Sequence, residues 1–244
     1  MKIIANIVPV VKLYHSLTYL TKYRKELIAA REAGDDERER EFILKATDTW
    51  SNHLVKAFDI QLRVEGRENI PARGPVVFVS NHQGYADILI SCAVLNRFQF
   101  GFVAKNNLAK VPLYGRWIKD IRSVMIERED ARASLRAINE GIGLIDRGFS
   151  LLIFPEGTRS RGKIMNRFRK GSLRLATKSG VPVVPITING SYRIFEEPGV
   201  LREGVSVDFI IHPAIETKDM EKNAANNLST EVEEMIRGAL KRLS

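Results

Sequence analysis

The sequence predicts an α/β fold: a mixed, largely parallel sheet flanked by helices and preceded by an N-terminal two-helix hairpin. Three observations predict it. Before residue 60 the apolar residues recur at helical spacing; from Ile60 onward short β-branched and aromatic runs alternate with helical stretches; and neither an internal repeat nor a low-complexity linker interrupts the series. With 244 residues, 44% of them hydrophobic, the chain is long enough to bury one substantial core and to carry an appendage beside it.

In the first 28 residues Ile3, Ile7, Val10, Tyr14 and Leu17 recur at spacings of four, three, four and three. The longest apolar run, 7–11, contains Pro9, and Lys12 and His15 fall midway along the stretch. A bilayer span takes about 20 mostly apolar residues, so no span is expected here. No residue through Lys25 is acidic, while Lys2, Lys12, Lys22, Arg24 and Lys25 are basic. An apolar stripe with cationic flanks suits a helix lying in the interface of an anionic membrane. Gly34-Asp35-Asp36 breaks the pattern, and Ile43, Ala46, Trp50, Leu54 and Ala57 then share one face of a second helix. Residues 1–59 are therefore expected to form an amphipathic, membrane-associating hairpin. The competing reading is that the hairpin only covers core surface of the domain that follows, residues 60–244.

That domain is expected to hold strands near 60–64, 76–79, 100–104, 123–126, 151–154, 183–188 and 205–211. Helices are expected near 86–95, 130–146, 167–179 and 230–243. Unbroken apolar strands separated by helices indicate parallel pairing with both faces covered.

The charge balance narrows the function. Of the net +9, residues 97–174 supply the whole excess, with 17 basic against 7 acidic side chains. Such a field serves nucleic acid, an anionic membrane or a phosphorylated substrate. The stretch has no zinc-finger spacing, no RNP-like aromatic pattern and no recognition helix, so nucleic acid is not the expected partner. One Cys among four His leaves no cysteine-rich metal module and no internal disulfide. Serine-hydrolase elbow, Walker and dinucleotide glycine patterns are all missing.

Two turns carry the chemistry. The strand at 76–79 runs into Asn81-His82-Gln83-Gly84-Tyr85-Ala86-Asp87, at the carboxyl end of a strand, where open α/β sheets bind ligands. In a regular helix positions i and i+5 differ by about 140°, so His82 and Asp87 meet only if the chain bends between them, which Gly84 permits. An imidazole oriented by a carboxylate is a general base. The strand at 151–154 runs into Phe154-Pro155-Glu156-Gly157-Thr158-Arg159-Ser160. There Gly157 allows close backbone approach, Thr158 adds a hydroxyl donor and Arg159 offers a planar fork for phosphate oxygens. Arg161, Lys163, Arg167, Arg169 and Lys170 follow without an intervening acid.

Together the two turns resemble the first and third motifs of the glycerolipid acyltransferases, and within them the 1-acylglycerol-3-phosphate acyltransferases. Ala104-Lys105 with Met125-Ile126-Glu127-Arg128 is similar to the second block, and Val181-Pro182-Val183-Val184-Pro185 to the fourth. Glu127 departs from the Asp or Asn often found before Arg128. The resemblance covers roughly residues 60–215 and implies acyl transfer from a coenzyme A or acyl carrier protein thioester to the sn-2 hydroxyl of 1-acyl-glycerol-3-phosphate, giving phosphatidic acid. It implies His82 as base, Asp87 as its orienting acid, and Arg159 with Lys105 and Arg128 on the acceptor phosphate. Glu156 is implied in acceptor binding, through a glycerol hydroxyl or by orienting Arg159, and Pro182 and Pro185 in shaping the pocket. No acyl-enzyme is implied, since the thioester is already activated, and no cofactor or metal is expected, the acyl-CoA or acyl carrier protein being a substrate. Cys92, inside an expected helix, is read as a small buried hydrophobe. With the N-terminal stripe, the expected localisation is monotopic and interfacial on anionic lipid, the catalytic domain cytoplasmic. A non-catalytic lipid-binding protein is the alternative if His82 and Asp87 do not meet, and glycerol 3-phosphate or a lysophospholipid are the alternative acceptors.

Overall fold

A computed structural model of the chain describes residues 2–127, 130–169 and 171–243. Its helices are α1 (Lys2–Thr21), α2 (Arg24–Glu32), α3 (Asp36–Ala57), α4 (Ala86–Val94), α5 (Tyr114–Asp120), α6 (Ala131–Asp146), α7 (Arg174–Ser179) and α8 (Lys222–Arg242). Its strands are β1 (Gln61–Glu65), β2 (Val77–Ser80), β3 (Phe100–Lys105), β4 (Val124–Ile126), β5 (Ser150–Ile153), β6 (Val183–Asn189) and β7 (Ser206–Ile211). They form one sheet in the order β1-β7-β6-β2-β5-β3-β4. Every pairing is parallel except β6 with β7.

The order follows from burial. β2, β5 and all but the last residue of β6 are buried, as expected of apolar runs that neighbours cover on both sides. β1 alternates exposed and half-buried residues, the pattern of an edge strand. Phe78, Phe102, Phe149 and Phe209 are among the largest fully buried side chains and mark the centre of the core. α6 packs on β4 and β5, and α8 on β6. Because β2, β3, β4, β5 and β6 run in parallel, their carboxyl ends leave the sheet on one edge. The first and third motifs follow β2 and β5, which are adjacent, with Val77 in register with Leu151.

All seven expected strands are present. After residue 60 the helices differ in three places. α5 escapes sequence reading because seven residues containing Gly115 give too short a periodic signal. The expected helix over 167–179 is reduced to α7, because the amides of Phe168 and Arg169 donate to the Glu233 carboxylate and the Pro155 carbonyl rather than to a helical ladder. α8 begins eight residues early, its Asn- and Ala-rich first turns carrying no apolar stripe.

The N-terminal hairpin has one arm broken in two: the expected first helix is interrupted at Lys22 and Tyr23, giving α1 and α2, both packed on α3. Asp35 caps α3, accepting from the Arg38 N–H at 3.0 Å. Ile43, Trp50 and Leu54 of α3 are at most 4% exposed and belong to the main core, so the hairpin is built into the domain. Trp50 lies against Trp117 of α5 (centroids 5.0 Å apart) and donates to Ser16 Oγ of α1 at 3.1 Å. Glu39 of α3, fully buried, accepts from Arg31 of α2 and is gripped two-handed by Arg122 (2.7 and 2.8 Å) at the head of β4. α1 nevertheless leaves Ile7, Val11, Leu13 and Tyr14 exposed. No described helix is long and apolar enough to cross a membrane.

Candidate active site

The chain bends after Ser80 and re-enters helix only at Ala86, so residues 81–85 fold back over the start of α4. This bend brings His82 Nδ1 to 2.7 Å from Asp87 Oδ2. The Gly84 N–H donates to the same oxygen at 2.9 Å. Asp87 thus accepts on both contacts, which puts a proton on Nδ1, so that in the neutral ring the lone pair is on Nε2. Asp87 is fully buried, while the His82 side chain keeps 16% exposure. The imidazole lies on the Phe154 ring, centroids 4.1 Å apart and 18° between planes, so its orientation is fixed from one face as well as from Nδ1.

Phe154 opens the second turn. The Gly157 N–H closes it onto the Phe154 carbonyl at 3.0 Å, at a φ of +73° that an L side chain enters only with strain. The two turns are clasped by backbone bonds: the Ser160 N–H donates to the His82 carbonyl (2.7 Å) and the Arg161 N–H to the Gln83 carbonyl (3.1 Å). Glu156 lies between them, 3% exposed, its Oε1 accepting the His82 N–H (2.6 Å) and its Oε2 the Asn166 N–H (2.8 Å). Burial pushes its carboxyl above the usual carboxylate range, against the pull of these donors. Both oxygens are engaged by backbone, so here Glu156 braces the loops, and the carboxylate that contacts Arg159 is a different one, Glu196.

β6 holds the first turn from its other side. Asn81 exchanges two hydrogen bonds with the Ile188 backbone, both 2.8 Å, and Gln83 Oε1 accepts the Gly190 N–H at 2.8 Å. Beyond β6, Glu196 Oε1 accepts from Arg159 Nη1 and from the Tyr85 N–H, each at 2.8 Å, while the Tyr85 ring lies under the Arg159 guanidinium at 3.5 Å.

The expected residues are placed unequally. His82, Asp87, Glu156, Gly157 and Arg159 meet at one edge, with Thr158 exposed beside them. Lys105 ends β3 on that edge, exposed and without an ion pair among the described residues. Arg128 and Lys170 lie outside the described residues. Pro182 precedes β6 and Pro185 pairs with Val79 inside the sheet, so the fourth block contributes through the far end of its strand. Cys92 is 3% exposed and burial pushes its thiol well up, as expected of a packed hydrophobe. Asn81, Gln83 and Glu196 hold the two turns in place and are the positions that sequence reading missed. The first two stand within the quoted motif, but nothing local marks Glu196 as a buried carboxylate.

Comparison with known proteins finds acyltransferases. A chloroplastic 1-acyl-sn-glycerol-3-phosphate acyltransferase of Arabidopsis thaliana is 33% identical over 183 residues, 74% of this chain and 50% of that one. A 1-acyl-sn-glycerol-3-phosphate acyltransferase of Borreliella burgdorferi is 29% identical over 72% of this chain and 70% of its own length. The chain spans about half the length of the first of the curated relatives it matches. The crystal structure of the 1-acyl-sn-glycerophosphate acyltransferase PlsC from Thermotoga maritima superposes with a TM-score of 0.73 at 26% identity, covering 100% of this chain and 98% of that one. The family model described as Acyltransferase matches residues 61–189, which run from β1 to the end of β6 and so take in both clasped turns; the chain belongs to the acyltransferase family.

Proposed function

We propose that the protein transfers an acyl chain from a coenzyme A or acyl carrier protein thioester to the sn-2 hydroxyl of 1-acyl-glycerol-3-phosphate, forming phosphatidic acid. The observation that carries this reading is the His82–Asp87 pair, 2.7 Å apart, on the edge that also presents Arg159. His82 Nε2 takes the proton of the acceptor hydroxyl as its oxygen attacks the thioester carbonyl carbon. Asp87 holds the ring and stabilises the imidazolium. When the tetrahedral intermediate collapses, the C–S bond breaks and the departing thiolate recovers that proton from His82. No covalent enzyme intermediate is required, and Cys92, buried within α4, takes no part.

Arg159, with Lys105 and Arg128, receives the acceptor phosphate, and Thr158 adds a hydroxyl donor. The exposed apolar face of α1 rests in the surface of an anionic membrane, which keeps a water-insoluble acceptor within reach. The reading is tested by supplying a labelled acyl thioester with lysophosphatidate, glycerol 3-phosphate or lysophosphatidylcholine and identifying the lipid made. Labelled phosphatidic acid is expected; label carried only by another acceptor would replace the substrate.

A further inference from the structure

Glu196 lies past β6, beyond the short 3-10 turn Ser191–Arg193, and its side chain is 3% exposed. Oε1 takes two hydrogen bonds, from Arg159 and from the backbone of Tyr85 in the turn that carries His82. One edge of the guanidinium is thereby fixed by a carboxylate and one face by the Tyr85 ring. The Nε and Nη2 donors of Arg159 have no partner among the described residues, which leaves them free for a phosphate oxygen. Oε2 of Glu196 is buried without a hydrogen-bond partner. It points at Gly84: a Cβ built there would stand 2.5 Å from it. A carboxylate buried with one idle oxygen is costly, and it also cancels charge at a place meant to attract an anion. Neither packing nor attraction of substrate accounts for it, whereas orientation of Arg159 does, much as outer carboxylates orient the residues that grip a metal.

We propose that Glu196 is a positioning residue for the acyl transfer. It fixes Arg159 in the orientation that presents its free edge to the acceptor phosphate, and ties that orientation to the turn bearing His82 and Asp87. Base and anion clamp then keep one separation. The proposal rests on the acyl-transfer reading above for its substrate, and on the geometry alone for the coupling of Arg159 to the turn.

The test is steady-state kinetics with acceptor and thioester varied separately, on wild type, Glu196→Ala, Glu196→Gln, Gly84→Ala, the Gly84→Ala/Glu196→Ala double variant, and Arg159→Ala as reference. Glu196→Ala is expected to raise the acceptor KM about tenfold or more, as losing a charge-assisted bond does, and to leave the thioester KM unchanged. Glu196→Gln, which keeps an accepting oxygen and removes the cancelling charge, should stay within about threefold of wild type. Gly84→Ala displaces the carboxylate and should mimic Glu196→Ala, while the double variant should be no worse than Glu196→Ala alone. An acceptor KM unmoved in Glu196→Ala, a joint rise of both KM values, or failure of Glu196→Gln as severe as that of Glu196→Ala would overturn the proposal. Calorimetric titration with glycerol 3-phosphate separates this from the functional reading. A wild type that binds this probe but acylates nothing, with binding weakened about tenfold by Glu196→Ala, removes acyl transfer and leaves the positioning role standing. A wild type that binds no phosphate ester removes the positioning role.

Discussion

His82 is constrained at three points: its Nδ1 by Asp87, its ring face by Phe154, and its backbone N–H by Glu156. Each constraint has its own signature on substitution. His82→Ala removes the proton acceptor and should lower kcat by about two to four orders of magnitude with the thermal midpoint little changed. Asp87→Asn keeps the shape but offers the ring an amide, which favours the wrong tautomer. A loss of similar order is expected, and kcat within a few fold of wild type would show that Asp87 does not orient the base. Glu156 lends itself to a pH measurement. Its folded-state pKa is raised, so the folded protein holds its proton more tightly than the unfolded chain. Stability from this group is therefore full below the ordinary carboxylate range and is lost as pH rises through the raised value. Denaturant midpoints measured against pH should show wild type losing ground to Glu156→Gln across that window; parallel curves would mean that Glu156 does not titrate there.

At the scale of elements, adjacency of β2 and β5 places both turns, and β6 on the other side of β2 supplies the props. Local sequence cannot express this, because a crossover connection fixes only that two strands are parallel, not which strand lies between them. The hairpin illustrates the same limit. Its amphipathic spacing is legible, but its docking depends on Glu39, a charged residue buried on α3 between Arg31 and Arg122. Both guanidiniums retain about a fifth of their exposure, so water offsets part of the penalty when the carboxylate is removed. Glu39→Ala should destabilise the protein by about 3 kcal/mol, read as a fall in denaturant midpoint at constant m. A change below about 0.5 kcal/mol would reduce the cluster to an ordinary surface pair. Because Ile43, Trp50 and Leu54 sit in the core, deleting residues 1–59 would remove part of the hydrophobic core along with any membrane contact.

For the whole molecule, the net charge of +9 divides into two populations. Arg122 and Arg147 of the basic central stretch are spent internally on Glu39 and Asp36. Arg161, Lys163, Arg167 and Arg169 are exposed beside the site and form no ion pair among the described residues. The apolar counterpart is on α1, where Ile7, Val11 and Tyr14 stand at i, i+4 and i+7 and are 53%, 61% and 48% exposed. Replacing the three with Ser should leave the fold intact and lower partitioning onto anionic liposomes about tenfold or more. Unchanged partitioning in a sedimentation assay would restrict the hairpin to packing.

By itself the sequence determined the seven strands, the helical N-terminus, the two turns and the residue types each turn presents. These rest on local periodicity and on residue types whose reactivity travels with them. Only the tertiary structure decided that His82 stacks on Phe154, that Glu156 braces the two turns, and that Arg159 answers to Glu196, 37 residues further along the chain. Those are contacts between turns distant in sequence, and a buried carboxylate is indistinguishable from a solvated one until its neighbours are folded around it.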